Sequence, residues 1–251
     1  MQQLHKLEDL SVCALQARDG EIGKINEVYF DDKSWLVRYF IVHTGAWLLG
    51  RDVLIAPRLI TGLVEKNRLL MVDLTREQVE KSPLVDTEKP VSRHYEAEYY
   101  RYYGWKPYWG ERGPFGGPVL PKITPHLEPI KAPEHPHLRA SNEVLGYQIH
   151  ASDGELGKVC DFIFDDRDWK IQYLVVETSK WLLGKKVLVA TGWVDSVDWA
   201  GSEITVKLDR KIIQSAPSYD PSQLIDRDYE VSLFAHYGKA IKDKDDASTI
   251  Y

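Results

Sequence analysis

Asp19-Gly20-Glu21-Ile22-Gly23-Lys24 returns 134 residues later as Asp153-Gly154-Glu155-Leu156-Gly157-Lys158. Held at that offset, the alignment continues without a gap. Phe30-Asp31-Asp32 meets Phe164-Asp165-Asp166, Trp35 meets Trp169, and Tyr39 meets Tyr173. Trp47-Leu48-Leu49-Gly50 meets Trp181-Leu182-Leu183-Gly184, and Val53-Leu54 meets Val187-Leu188. Further on, Arg76 meets Arg210, Pro83 meets Pro217, Tyr95-Glu96 meets Tyr229-Glu230, and Tyr103-Gly104 meets Tyr237-Gly238. Roughly a third of the positions from 17 to 104 are identical to their counterparts. Self-similarity at a fixed period over such a run means two copies of one structural unit.

Working outward, the same hexapeptide sets the local structure. Asp-Gly between alternating runs is a hairpin signal, because a type I′ turn needs positive φ at both central residues. In the second copy, Ser141 is a candidate N-cap for a short helical turn through Leu145. Tyr147 to Ala151 then alternates, and Lys158 to Phe164 alternates in part. Asp165-Asp166-Arg167-Asp168 reads as a turn. Lys170 to Glu177, Lys185 to Ala190, Trp193 to Trp199 and Glu203 to Leu208 read as strands, the last two as a hairpin around Ala200-Gly201. The first copy repeats this order, with Asn67-Arg68 at the last hairpin, but starts with Val12-Cys13 where the second has Gly146-Tyr147. Thr75 caps a helical turn through Glu80 that Pro83 closes. Short strands at close spacing with polar turns predict a mainly β chain of two small antiparallel barrels in tandem, closure removing the exposed edges.

Between the copies, residues 105–140 hold eight of the thirteen prolines. Prolines at that density exclude helix and central strand and predict a semi-extended linker. At about 3.1 Å per residue it is long enough to set the units side by side or to let them swap elements. The organisation predicted is a first domain over 1–104 with an aromatic tail, a Pro/Gly-rich linker over 105–140, a second domain over 141–238 and a polar tail over 239–251.

The runs Ser141-Asn142-Glu143-Val144-Leu145-Gly146-Tyr147, Ile149-His150-Ala151, Asp153 to Val159, Asp161 to Asp166, Ile171 to Thr178 and Trp181 to Val189 resemble a PRC-barrel domain. The resemblance covers both copies, about two-thirds of the chain, and is closer in the second. It implies a small β-barrel of the kind found in the cytoplasmic part of the photosynthetic reaction-centre H subunit and in a ribosome maturation factor. It also implies company with many uncharacterised bacterial proteins and a non-catalytic adaptor role, although a fold does not dictate a function.

Bulk chemistry narrows the classes. Hydrophobic residues make up 43% of 251, enough for packed cores. The formal charge is −6, with 14 basic and 16 acidic side chains over 1–104 and 13 and 19 over 141–251. That balance argues against a nucleic-acid footprint. Cys13 and Cys160 form no CxxC and read as buried free thiols. The opening MQQLHKLEDL carries no long apolar segment, and no run is long enough to span a bilayer, so a cytoplasmic protein without direct membrane insertion is expected.

Chemical motifs are sparse. Gly45-Ala46-Trp47-Leu48-Leu49-Gly50-Arg51 approaches a phosphate loop, but Arg51 and Asp52 stand where Lys and Ser/Thr are needed, and a strand follows instead of a helix. Asp31-Asp32 and Asp165-Asp166 read as solvent-facing turn acids, with a divalent cation site as the sharper alternative. His126, His135 and His137 lie in the linker with no second Cys/His pair at ligand spacing, and His43 is replaced by Glu177 in the other copy. No nucleophile, metalloprotease or cofactor signature occurs, so neither catalysis nor a cofactor is expected. The aromatic run Tyr99-Tyr100-Arg101-Tyr102-Tyr103-Gly104-Trp105-Lys106-Pro107-Tyr108-Trp109 belongs to the repeat only in part. Leu233-Phe234 replaces Tyr99-Tyr100, and Trp105, Tyr108 and Trp109 have no aromatic counterparts. Tyr99, Tyr100, Tyr102, Trp105, Tyr108 and Trp109 are therefore candidate interface residues, expected to line a contact between barrels or protomers with tyrosine hydroxyls at its rim, with an external partner or base and sugar stacking as alternatives. Trp47 and Trp181, each before Leu-Leu-Gly, read first as barrel-end packing and, as the alternative, as interface anchors. The expected function is a tandem adaptor or assembly protein that binds a protein partner, with homo-oligomerisation open. The alternatives are a ribonucleoprotein assembly factor, a peripheral partner of a membrane complex, and a divalent-cation binder.

Overall fold

The computed structural model describes residues 4–64, 68–85, 91–109, 137–178 and 185–238. The linker prolines from 114 to 136, His126, His135, Trp181, Asn67 and the C-terminal tail lie outside them.

The chain divides into two compact units, Asp9–Asn142 and Met1–Glu8 with Glu143–Tyr251. The first has strands β2 (Ala14–Ala17), β3 (Gly20–Asp31), β4 (Val37–His43), β5 (Asp52–Ile55), β6 (Ile60–Val64), β7 (Leu69–Val72) and β8 (Leu138–Ala140). They pair in the order β5-β4-β3-β2-β7-β6, with β8 also on β3. The second has β1 (Leu4–Lys6), β9 (Gln148–Ala151), β10 (Gly154–Asp165), β11 (Lys170–Thr178), β12 (Lys186–Ala190), β13 (Val194–Asp198) and β14 (Glu203–Val206), paired β12-β11-β10-β9-β14-β13 with β1 on β10.

β1 and β8 are exchanged. Leu4 pairs with Asp165 and Leu138 with Asp31, so the strand that opens each repeat belongs to the sheet of the other. The compact units are thus not the two sequence copies end to end. Short helices α1 (Leu7–Ser11) and α4 (Ser141–Val144) follow the exchanged strands. Ser141 does not cap α4; its buried hydroxyl accepts the Val28 N–H of β3 at 3.1 Å.

Two features depart from a closed antiparallel barrel. β2 runs parallel to β7, and β9 parallel to β14. These pairs are far apart in sequence, so the connection is long enough to permit a parallel pairing. Among the described residues no ladder joins β5 to β6 or β12 to β13. These end strands are joined through the chain by single 3-10 turns, Pro57–Leu59 and Thr191–Trp193, which keep the ends of each path within a short span of chain.

The repeated hexapeptide now has a physical account. The two turn residues are Arg18-Asp19 and Ser152-Asp153, and Gly20 and Gly154 open the next strand. Neither aspartate has positive φ, so the turn is not type I′. Instead Asp19 Oδ1 accepts the Arg76 N–H and Asp153 Oδ1 the Arg210 N–H, each at 2.8 Å, which tethers helices α2 (Arg76–Glu80) and α5 (Arg210–Gln214). Ile22 and Leu156 are fully buried bulge residues, because Leu15 and Gln16 pair with Gly23 and Glu21, and Ile149 and His150 with Gly157 and Glu155. The second glycine is compulsory: a Cβ at Gly23 would sit 2.0 Å from the His43 carbonyl oxygen, and one at Gly157 2.1 Å from that of Glu177. Thr75 caps α2, as its sequence predicts, and the Gln78 side chain completes a capping box.

β4 breaks the alternation of a half-exposed strand, since Tyr39, Phe40, Ile41 and Val42 are all buried. A second layer covers its outer face. The stretch read as a tail is a ten-residue helix, α3 (Arg93–Tyr102), capped by Ser92, and Tyr99 meets Tyr39 edge-on at 5.3 Å. Its counterpart is α6 (Arg227–His236), capped by Asp226.

Candidate interaction surface

The aromatic strip is packed within the first unit. Tyr99 is fully buried; its hydroxyl donates to the Leu54 carbonyl at 3.1 Å and accepts the Ala56 N–H at 3.0 Å. Tyr100 is buried against Trp105, Tyr108 and Trp109. Trp105 stacks on Tyr103 at 4.8 Å and carries the Arg58 guanidinium at 4.3 Å. Arg93 lies 4.6 Å from the Trp109 ring and Arg38 3.9 Å from that of Tyr108. Trp105, Tyr108 and Trp109 keep partial exposure, and Tyr102 is exposed with its hydroxyl on the Gln78 carbonyl. The hydroxyls of Tyr99 and Tyr108 therefore point inward and not to a solvent rim.

Beneath the strip sits a cluster that sequence reasoning did not find. Glu96 is fully buried on α3. Its Oε1 accepts the hydroxyls of Tyr39 at 2.9 Å and Tyr108 at 3.1 Å. Its Oε2 lies 3.2 Å from Arg93 Nη1 and from His137 Nε2. Burial and then the Glu96 charge push the Tyr39 hydroxyl far above its ordinary range. In the second unit Tyr173 donates to Glu230 at 2.6 Å, but Glu230 is only half-buried. The repeated Tyr and Glu were visible in the sequence; only the 3D distance between them marks them as a pair.

At the start of β3 the first unit has a cavity of about 460 Å³, bounded by Gly23, Lys24, His43, Trp47 and Arg76. Trp47 donates its indole N–H to the Ile22 carbonyl, and the Arg76 guanidinium covers its ring at 4.1 Å. Trp47 is half-buried in the 3-10 turn Gly45–Leu48. The next loop residue, Leu49, is 97% exposed and held at φ +56°. That backbone region is unfavourable for a large side chain and is given by no sequence pattern. Its counterpart Leu183 and the other candidate tryptophan, Trp181, fall outside the described residues.

The phosphate-loop likeness dissolves at Arg51. Its guanidinium donates to the carbonyls of Val79 at 3.1 Å and Ser82 at 3.2 Å, closing the C-terminal end of α2. Lys185 does the same to Ala216 at 2.7 Å. The paired aspartates are turn formers. Asp31 Oδ1 accepts the N–H and the hydroxyl of Ser34. Burial pushes Asp31 up, but these donors outweigh it and hold it below the usual carboxylate range. Asp32 is raised by burial and by the charge of Asp31. Asp165 is fully buried and takes the backbone N–H and side chain of Arg167, while Asp166 Oδ2 lies 3.2 Å from His5 Nε2. Among the described residues no group of three His, Cys, Asp or Glu side chains is placed to hold a metal ion. Cys13 is buried and Cys160 half-buried, and both are free thiols, raised first by burial. Among the described residues no helix is long and apolar enough to cross a membrane.

No curated protein matches this chain. Residues 3–79 and 136–212, more than half the sequence, match the PRC-barrel domain. Each matched segment begins at the exchanged strand and ends at the helix tethered by the hexapeptide aspartate. The chain is a member of the PRC-barrel domain family, with two copies of that domain.

Proposed function

We propose that this protein is a non-catalytic tandem interaction module that docks a protein partner on the Gly45–Gly50 loop of its first unit. One observation carries this reading: Leu49 is held 97% exposed, in a left-handed conformation, beside a half-buried tryptophan and an open cavity. Scattered surface leucines need no explanation. This leucine is fixed at a loop tip in a strained conformation, and its neighbour is a Trp, a residue type enriched among binding anchors. Family membership supports a general interaction role, and two modules on one chain raise effective concentration for a partner with two sites. The polar groups that catalysis needs support the same reading, since Asp31, Asp165, Glu96 and Arg51 are engaged within the fold.

The test is a crosslinked capture from native extract, separated into membrane and soluble fractions, using the full chain and its Leu49→Asp variant. Partners lost with the variant at unchanged melting temperature support the loop as the docking surface. Identical partner sets would remove it.

A further inference from the structure

We infer that the cavity of the first unit binds an acidic peptide segment carrying an apolar residue. The inference rests on the interaction-module reading and names its ligand chemistry. It comes from comparing the two repeats at matched positions. In the second unit the cations are neutralised: Lys158 pairs with Glu177 at 3.4 Å and Arg210 with Asp153 at 3.6 Å. In the first unit the same positions are Lys24 and Arg76. The residue across the strand from Lys24 is His43, not a glutamate, and His43 turns to Asp52 at 3.0 Å. Among the described residues neither the Lys24 ammonium nor the Arg76 guanidinium forms a side-chain ion pair: Asp19, the counterpart of Asp153, takes the Arg76 backbone N–H, and the guanidinium lies over the Trp47 ring. Both side chains line the open cavity.

A guanidinium on the wall of a cavity binds a carboxylate through two parallel hydrogen bonds. The Trp47 indole N–H is already taken by Ile22, so the ring adds an apolar wall and no donor. Leu49 extends that apolar surface outward. Glu21 is the one carboxylate in the lining. It limits the local positive charge and disfavours a polyphosphate, which would need many cations. A short peptide with one or two carboxylates flanking a leucine or similar side chain satisfies all of these groups, and a cavity of this size suits a few side chains.

The probe is a fluorescein-labelled peptide of sequence EELEEG, titrated by anisotropy into the full chain. Its glutamine isostere QQLQQG and a labelled single-stranded RNA 12-mer serve as comparators. The decisive variant is His43→Glu, which gives Lys24 the partner its counterpart has. His43→Glu also removes the His43 contact with Asp52, so melting is measured alongside and affinities are compared well below the midpoint. Saturable binding of EELEEG, weakened about tenfold by His43→Glu and by Arg76→Ala and unchanged by Lys158→Ala, supports the inference. Equal binding by His43→Glu, equal affinity for the isostere or the RNA, or no binding of EELEEG overturns it. The broader reading fails separately. If His43→Glu captures the same proteins from extract as the native chain, the site is wrong and the module stands. If the native chain captures none, the module reading falls, while the titration still decides the site.

Discussion

Replacing Leu4 by alanine should destabilise the unit built mainly from residues 143–238 and leave the unit that follows it in sequence intact. Leu4 is buried opposite Asp165 in β1. Beside it the His5 ring stacks on Phe164 at 5.6 Å, and Lys6 donates to the Pro221 carbonyl at 3.1 Å. Truncating a buried leucine costs about 2–5 kcal/mol. β1 is a three-residue strand added beside β10, so relaxation around it is easy and about 2–3 kcal/mol is the appropriate end of the range. For a unit of this size that corresponds to a fall in Tm of roughly 10 °C. Hydrogen exchange read by mass spectrometry locates the effect. Amides of β9 to β14 should lose protection, and those of β2 to β7 should keep theirs. Leu138→Ala, at the matched position in β8, should do the reverse. If Leu4→Ala lowered protection in β2 to β7 and spared β9 to β14, the strand exchange would be refuted.

Gly23→Ala should cost about 4 kcal/mol or more, measured by urea unfolding, because the added Cβ meets a backbone oxygen that cannot move aside. Tyr99→Phe leaves the Leu54 carbonyl and the Ala56 N–H without their hydroxyl partner and should cost about 1–3 kcal/mol in the same measurement. Tyr237→Phe, whose hydroxyl reaches Leu188 only at 3.4 Å, should cost under about 1 kcal/mol. Asp161 is pushed up to about 6, first by burial and then by the nearby Glu8 charge, against the hydrogen bonds it accepts from Phe162 and Glu8. A folded-state value above the unfolded one stabilises at low pH. The contribution is complete below the unfolded carboxylate range and is lost as pH rises through about 6. Stability of the second unit should therefore rise by about 1 kcal/mol as pH falls from 7 to 5, out of about 3 kcal/mol over the whole range down to the unfolded value, and Asp161→Asn should flatten that slope.

The repeat, the succession of short strands and the capped turn at Thr75 were legible because each is written in local pattern: period-two hydrophobicity, turn residues and an N-cap. What escaped depends on contacts between distant residues. Parallel pairing of β2 with β7 leaves no trace in either strand. The exchange of β1 and β8 is invisible because Leu4–Lys6 and Leu138–Ala140 look alike and fit either sheet. The sequence marks α3 only as an aromatic tail, because tyrosine has weak helix propensity and the helix is held by Tyr99 packing on Tyr39. Trp47 was singled out as the bulky residue of its loop, yet Leu49 is the side chain presented to solvent, because the positive φ at Leu49 is set by closure of the turn. Within the site, nothing in the sequence sets Lys24 and Arg76 apart from Lys158 and Arg210, because the difference lies in which side chains meet them in space.

The surplus of aromatics in the first repeat follows from how each unit handles the same polar pair. Both carry a tyrosine on the second long strand bonded to a glutamate on the covering helix. In the second unit Glu230 is half-buried, so water shares its solvation. In the first, Glu96 is fully buried, and an ionised carboxylate in that position needs donors on every lone pair and a nearby positive charge. Tyr108 supplies one donor, Arg93 the charge, and His137 a ring nitrogen at 3.2 Å. Tyr108 reaches Glu96 because the chain after Tyr103 folds back over α3, where Trp105 and Trp109 pack against Tyr103 and Tyr100, and His137 is placed by β8, which pairs with β3. The strip private to the first copy thus acts as the cover of a buried carboxylate. That role accounts for Tyr108, Trp105 and Trp109 together without an outside partner, whereas internal packing does not account for the exposed Leu49 of the Gly45–Gly50 loop.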